Sequence, residues 1–256
     1  MDLSHQIQTG LGNQGLPVPT INWIQGVMSA RNPPPPLPAL IATARSRLLA
    51  ADLTNPALLE ASAPAFPPNL GSAQVQESKL PCDIVVQVLD IDNLSKSKWE
   101  QVEELEAIAR GEQTRGREII RLPTGNEADN EEGDDSSATQ SVSGGGGRPP
   151  GAAGRAGTAS ANAASKNSTH RLVLQDCRGQ KVYALELRRI EKIGIGTLNI
   201  GEKIMLKRGA TVARGVVLLE PATCVVLGGK VEVWQKAWLE GRLARLKEAV
   251  GADQRN

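Results

Sequence analysis

The chain has 256 residues, with 29 Lys and Arg against 28 Asp and Glu, a net charge of +1. That balance sets up no long-range field toward nucleic acid or an anionic membrane. An aromatic content of 2% argues against a base-stacking surface, which needs several rings on one sheet face. Three widely spaced cysteines, Cys82, Cys177 and Cys224, each lie in or beside an apolar run. They read as small buried hydrophobes in a reducing compartment. The amino terminus lacks the basic-then-apolar pattern of a secretory signal, and no run approaches the roughly 20 apolar residues of a membrane span. An intracellular soluble protein is expected.

Residues 1–60 read as short helices broken by proline. Thr20 or Asn22 is placed to cap a helix carrying Ile21, Trp23, Ile24 and Val27. Pro33 to Pro36 forces an extended connection. Leu37, Leu40, Ile41, Ala44, Leu48 and Leu49 then recur at helical spacing. Helices this short are marginal in water and must pack on something. Residues 61–80, rich in Ala, Pro and Ser, read as a linking loop.

A β-rich domain over 81–230 is cut open by a long hydrophilic insertion, 92–169. The strand-like run Ile84–Leu89 ends by Asp92, and the next, Arg171–Gln175, begins only after it. Connections beyond roughly 12–15 residues in a compact domain are functional or disordered, and both are expected here. An ordered arm is predicted over about 94–121. Ser97-Lys98-Trp99-Glu100 has capping-box spacing, and Trp99, Val102, Leu105 (or Glu106) and Ala109 trace a narrow apolar stripe. Gly111 is a stop signal. The rest, 123–168, is predicted disordered. Glu127 to Asp135 holds six acidic residues in nine, and Gly, Ala, Ser and Asn dominate from Ser141 to Ser168.

From Arg171 the pattern is that of a small barrel. Leu172–Gln175 and Val182–Leu187 flank Asp176-Cys177-Arg178-Gly179, which has hairpin chemistry. Lys203–Lys207, Val216–Leu219 and Thr223–Leu227 follow, the last two separated by Glu220-Pro221. The fold class is therefore mainly β with flanking helices: a five-stranded OB-fold barrel with a long insertion between its first two strands. A final helix over 231–250 carries Trp234, Trp238, Leu239, Leu243 and Leu246 on a face wide enough to meet the barrel and something else, either the amino-terminal helices or a partner.

Catalytic chemistry finds no constellation. The sequence has two histidines, His5 and His170, and no CxxC, HExxH or metal-spaced carboxylate pattern, so no cofactor and no enzyme activity are expected. Gly144–Gly147 lacks the Lys and Ser/Thr of a phosphate loop. Basic residues Arg115, Arg117 and Arg121 in the insertion, and Lys207 and Arg208 beside the barrel, are candidate phosphate contacts. Direct DNA binding is expected to be weak.

Five runs in order carry a resemblance: Ile21-Asn22-Trp23-Ile24-Gln25, Arg171–Asp176, Gly201–Leu206, Arg214–Pro221 and Val225–Val231. They resemble the amino-terminal region of the RecQ-mediated genome instability protein 1 family, in its short, fungal-type form. The resemblance implies a non-catalytic, nuclear OB-fold subunit that binds a type IA topoisomerase III and a Bloom-type RecQ helicase. In that family the insertion reaches into the topoisomerase gate and tunes it for decatenation and double Holliday junction dissolution. The matching segment here is Asp92 to Trp99. The expected partner-binding residues are Leu94, Lys98, Trp99, Val102 and Leu105 on the arm, and Lys203 at a barrel edge. No small second OB subunit is carried over, because the chain ends soon after its first barrel. The alternative reading is a single-stranded-DNA-binding OB protein that delivers DNA to a repair enzyme.

Overall fold

A computed structural model describes residues 2–30, 35–112 and 168–251. The tether predicted over 123–168 therefore lies outside the described residues except at its end, as do Arg115, Arg117 and Arg121.

Three helices, α1 (Leu3–Gly12), α2 (Ile21–Met28) and α3 (Leu37–Ala50), form the amino-terminal body. Of the two candidate caps for α2, Thr20 fills the role: its Oγ1 accepts the Trp23 amide at 3.2 Å and donates to the Ala57 carbonyl at 2.8 Å. Ile7, Leu11, Ile24, Leu40, Leu48 and Leu53 are buried together, so the short helices supply each other's apolar cover.

The β region is an eight-stranded sheet in the order β1-β6-β7-β4-β3-β2-β5-β8. Its strands are β1 (Glu77–Lys79), β2 (Ile84–Asn93), β3 (His170–Gln175), β4 (Lys181–Glu186), β5 (Lys203–Leu206), β6 (Thr211–Ala213), β7 (Val216–Leu219) and β8 (Cys224–Gly228). β2 serves two neighbours in turn, its first half pairing with β5 and its second with β3. β7 pairs parallel with β4 while β8 pairs antiparallel with β5. Since only Glu220–Thr223 separates β7 from β8, the chain itself joins the two sides of the curled sheet. Ile84, Val86, Val88, Leu172, Leu174, Ala184, Ile204, Leu206 and Val217 fill its interior. The period-two alternation places them there.

The stretch 61–80 differs from the loop expected. Phe66, Leu70 and Leu80 are buried in the barrel core, and β1 pairs with β6. The hairpin turn reaches back to hold this stretch, as the fully buried Asp176 accepts the amides of Phe66 (2.9 Å), Arg178 (3.0 Å) and Gln180 (2.8 Å). A proline-rich sequence carries little strand signal, so the tertiary anchor decides its path.

The insertion's arm is the helix α4 (Lys98–Ala109), capped by Ser97, whose Oγ accepts the Glu100 amide at 3.1 Å. The final helix, α5, spans Glu232–Ala249. Trp234 and Trp238 pack against the barrel core, and the Trp238 indole donates to Asp90 at 2.6 Å. Of the face predicted to meet something besides the barrel, Leu239 is 40% exposed, and another side of α5 is covered. That side meets α4, with Lys247 pairing to Glu106 at 2.8 Å. The arm thus lies folded along α5.

Candidate partner-binding surface at the root of the insertion

The insertion leaves β2 and returns to β3 at one closed point. The pairing runs to Asn93 opposite His170, and one step further the Leu94 amide donates to the Thr169 carbonyl at 2.9 Å while the Thr169 amide donates to Ser95 Oγ at 2.9 Å. Asp92 organises this point. Lys98 Nζ sits 2.5 Å from one of its oxygens and Arg171 Nη2 2.6 Å from the other. Burial opposes its ionisation, but hydrogen bonds and charge from Lys98 and Arg171 outweigh that and hold its carboxyl below the usual range. Lys96 pairs with Glu104 along the same face. The buried Gln101 amide donates to the Asn93 (3.1 Å) and Lys96 (3.2 Å) carbonyls, fixing the start of α4 against the end of β2.

The predicted partner residues divide by exposure. Leu94 and Trp99 stand out, 49% and 53% exposed. Lys98 belongs to the Asp92 clamp, and Leu105 is half-buried on α4. Val102 is buried, so this member of the stripe packs within the molecule while Trp99 at its start stays open. Lys207 and Arg208 are exposed at the β5–β6 turn, where the Arg208 amide donates to Asp83 at 2.7 Å.

Lys203, expected at a barrel-edge interface, is instead 1% exposed. Its ammonium donates to the carbonyls of Ala51 and Gly201, each at 2.6 Å. In register beside it on the outer wall of the barrel lie Gln87 and Gln175. The Gln87 amide group donates to Asp52 (2.7 Å) and Gln175 (3.1 Å), and its oxygen accepts the Leu53 amide at 3.0 Å. This polar row receives the end of α3 and docks the helical body on the barrel. Val85 and Leu227 add apolar contact. At Gly229, in the left-handed region at φ +86°, a Cβ would lie 2.4 Å from the Leu49 carbonyl oxygen, so the seam admits only glycine there. A lysine in a short strand reads from sequence as a surface group, although β5 lies between β2 and β8. Only the docked helix, distant in sequence, buries it.

A second buried network at the start of β3 also escaped the sequence reading. Glu186 accepts from His170 Nδ1 (2.9 Å), Arg189 (2.8 Å) and the Ile190 amide (2.7 Å). Burial again opposes its charge, and these donors lower its pKa regardless. The alternating pattern of β4, which turns Glu186 inward, was the available signal. Among the described residues no group of three or more His, Cys, Asp or Glu is placed to hold a metal ion, and no helix is long and apolar enough to cross a membrane.

A helical body latched by a polar seam to a curled barrel, with an arm inserted between β2 and β3, one strand later than expected because β1 precedes them in the sheet, defines an OB-fold protein built around an insertion. Family comparison agrees on both parts. The model described as "RMI1, N-terminal helical domain" matches residues 11–56, and that described as "RMI1, N-terminal OB-fold domain" matches residues 66–242. The chain belongs to the RMI1 family. It is similar to RecQ-mediated genome instability protein 1 of Schizosaccharomyces pombe, 26% identical over 196 residues that cover 77% of this chain and 74% of that protein.

Proposed function

We propose that this chain is a non-catalytic structural subunit of a genome-maintenance complex in the nucleus. It binds a type IA topoisomerase III, assembles with a Bloom-type RecQ helicase, and tunes the topoisomerase gate for decatenation and double Holliday junction dissolution. Membership of the RMI1 family through both the helical and the OB-fold part carries this reading. The root of the insertion supports it. Leu94 and Trp99 are exposed while Asp92, Lys98, Arg171 and Gln101 hold the backbone beside them, which limits the entropy lost on docking.

The test is size-exclusion chromatography of the chain with its cognate topoisomerase III, with and without residues 93–166. A complex with both forms assigns docking to the barrel and leaves the insertion to act on the gate. A complex with the full-length form alone makes the insertion the main binding element. No complex with either overturns the proposal. Within a complex, Trp99→Ala should weaken binding or stimulation by about 2 kcal/mol, as expected for an exposed aromatic anchor.

A further inference from the structure

Among the described residues, the outer wall of the barrel is covered on two sides and bare on a third. The helical body covers β2, β5 and β8 through Val85, Gln87, Lys203 and Leu227, and α5 reaches β2 at Asp90. The wall formed by β3, β4 and β7 has a different character. Its inward residues are buried as expected, but its outward residues are apolar too. Register sets Val173, Tyr183 and Val216 in one row across the three strands, and Leu185 beside Leu218 in the next. Leu187 extends the face past the end of β4. Tyr183 is 53% exposed and Leu187 56%, while the other four are half-buried. A strand apolar on both faces is the pattern of a sheet covered on both sides, and a contiguous exposed apolar face of this kind marks an interaction site.

Cations surround this face. Lys181 and Arg214 stand at the register positions preceding Tyr183 and Val216, Arg171 lies across from Leu185, and Arg188 follows Leu187; all four are exposed. The nearby carboxylates Asp92 and Glu220 are engaged by Arg171 and Arg188. Arg171 also joins this wall to the root of the insertion. Its guanidinium lies 5.4 Å from the Tyr183 ring centroid and pairs with Asp92, which holds Lys98 next to Trp99.

We propose that the outer face of β3, β4 and β7 is a docking surface for a protein partner whose contact patch has an aliphatic centre and an acidic rim. Five aliphatic side chains to one aromatic ring favour a protein over single-stranded nucleic acid, which needs successive rings for its bases. Charge complementarity requires the acidic rim. This inference rests on the functional reading above, in which the topoisomerase supplies that patch and touches Tyr183 and Trp99 together.

The test measures binding of full-length chain to its cognate topoisomerase III, comparing wild type with Tyr183→Ala/Leu187→Ala and, separately, Lys181→Glu. Thermal melts and binding of an oligo(dT) probe are recorded for each. The proposal expects both variants to melt as wild type does. It expects the double variant to lose tenfold or more in affinity, and Lys181→Glu to lose affinity in a salt-dependent way. Wild-type affinity in both folded variants overturns the docking face while leaving the proposed function standing. Loss confined to oligo(dT) binding overturns it in favour of a nucleic-acid face. A wild type that does not bind the topoisomerase overturns the functional reading, and this inference with it.

Discussion

Lys203 shows how a single residue changes meaning once the chain is folded. Burial pulls its ammonium down to about 8, against the attraction of Asp52 and Glu202, from an ordinary value of 10.5. Between those values the unfolded chain holds a proton that the folded chain has released, so this group makes stability rise with pH across the window. The neutral amine still has two N–H bonds for the Ala51 and Gly201 carbonyls. Lys203→Met would leave both carbonyls unpaired and should destabilise the fold by about 2 kcal/mol near neutrality. Denaturant titrations of both proteins at about pH 7.5 and about pH 10 check the sign, because the wild-type advantage should grow with pH. An unchanged advantage would mean that the lysine does not titrate in this window. If the variant also loses a partner, the cause lies in the undocked helical body, since Lys203 itself is out of reach.

At the scale of elements, α4 and α5 act as one unit. α4 begins at its Ser97 cap and rests on α5, and α5 is held on the barrel by Trp234 and Trp238, by the Trp238–Asp90 hydrogen bond and by Gln235, which accepts the Ile200 amide at 2.6 Å. Ser97→Ala should cost the helix about 1 kcal/mol. That loss would appear as faster amide hydrogen exchange in the first turn of α4, with the barrel strands unchanged. Trp238→Phe should speed exchange in both helices, because releasing α5 removes the surface on which α4 rests. Faster exchange in α5 alone would show that the arm does not depend on it. The capping-box spacing and the apolar stripe made α4 legible in the sequence. Nothing in that stripe could say whether Val102 faces a partner or another helix of the same chain, since periodicity gives the face and not its neighbour.

At the scale of the whole molecule, the insertion is closed at its base by the Leu94–Thr169 and Ser95–Thr169 hydrogen bonds and by the two-sided clamp on Asp92. The barrel therefore does not need the length of the excursion. Loop-closure entropy varies only slowly, by about 0.6 kcal/mol per doubling. Deleting 125–166 should leave the melting temperature unchanged or slightly raised and topoisomerase binding nearly intact. A protein that is insoluble or unfolded after this deletion would overturn the tether reading of that segment.

The sequence alone determined the elements set by local periodicity: the alternating barrel strands, the Asp176 turn, the capped arm and the final helix. Those signals are short-range, arising from side-chain direction, caps and turn chemistry within a few residues. The tertiary structure alone decided what each exposed-looking face meets. It drew Phe66 and β1 into the barrel through Asp176, buried Lys203 beneath the end of α3, and laid α4 along α5. It also left the apolar outer face of β3, β4 and β7 uncovered among the described residues. The physical reason is common to all four: burial depends on which distant segment arrives, and a linear pattern records only that a face is apolar or charged.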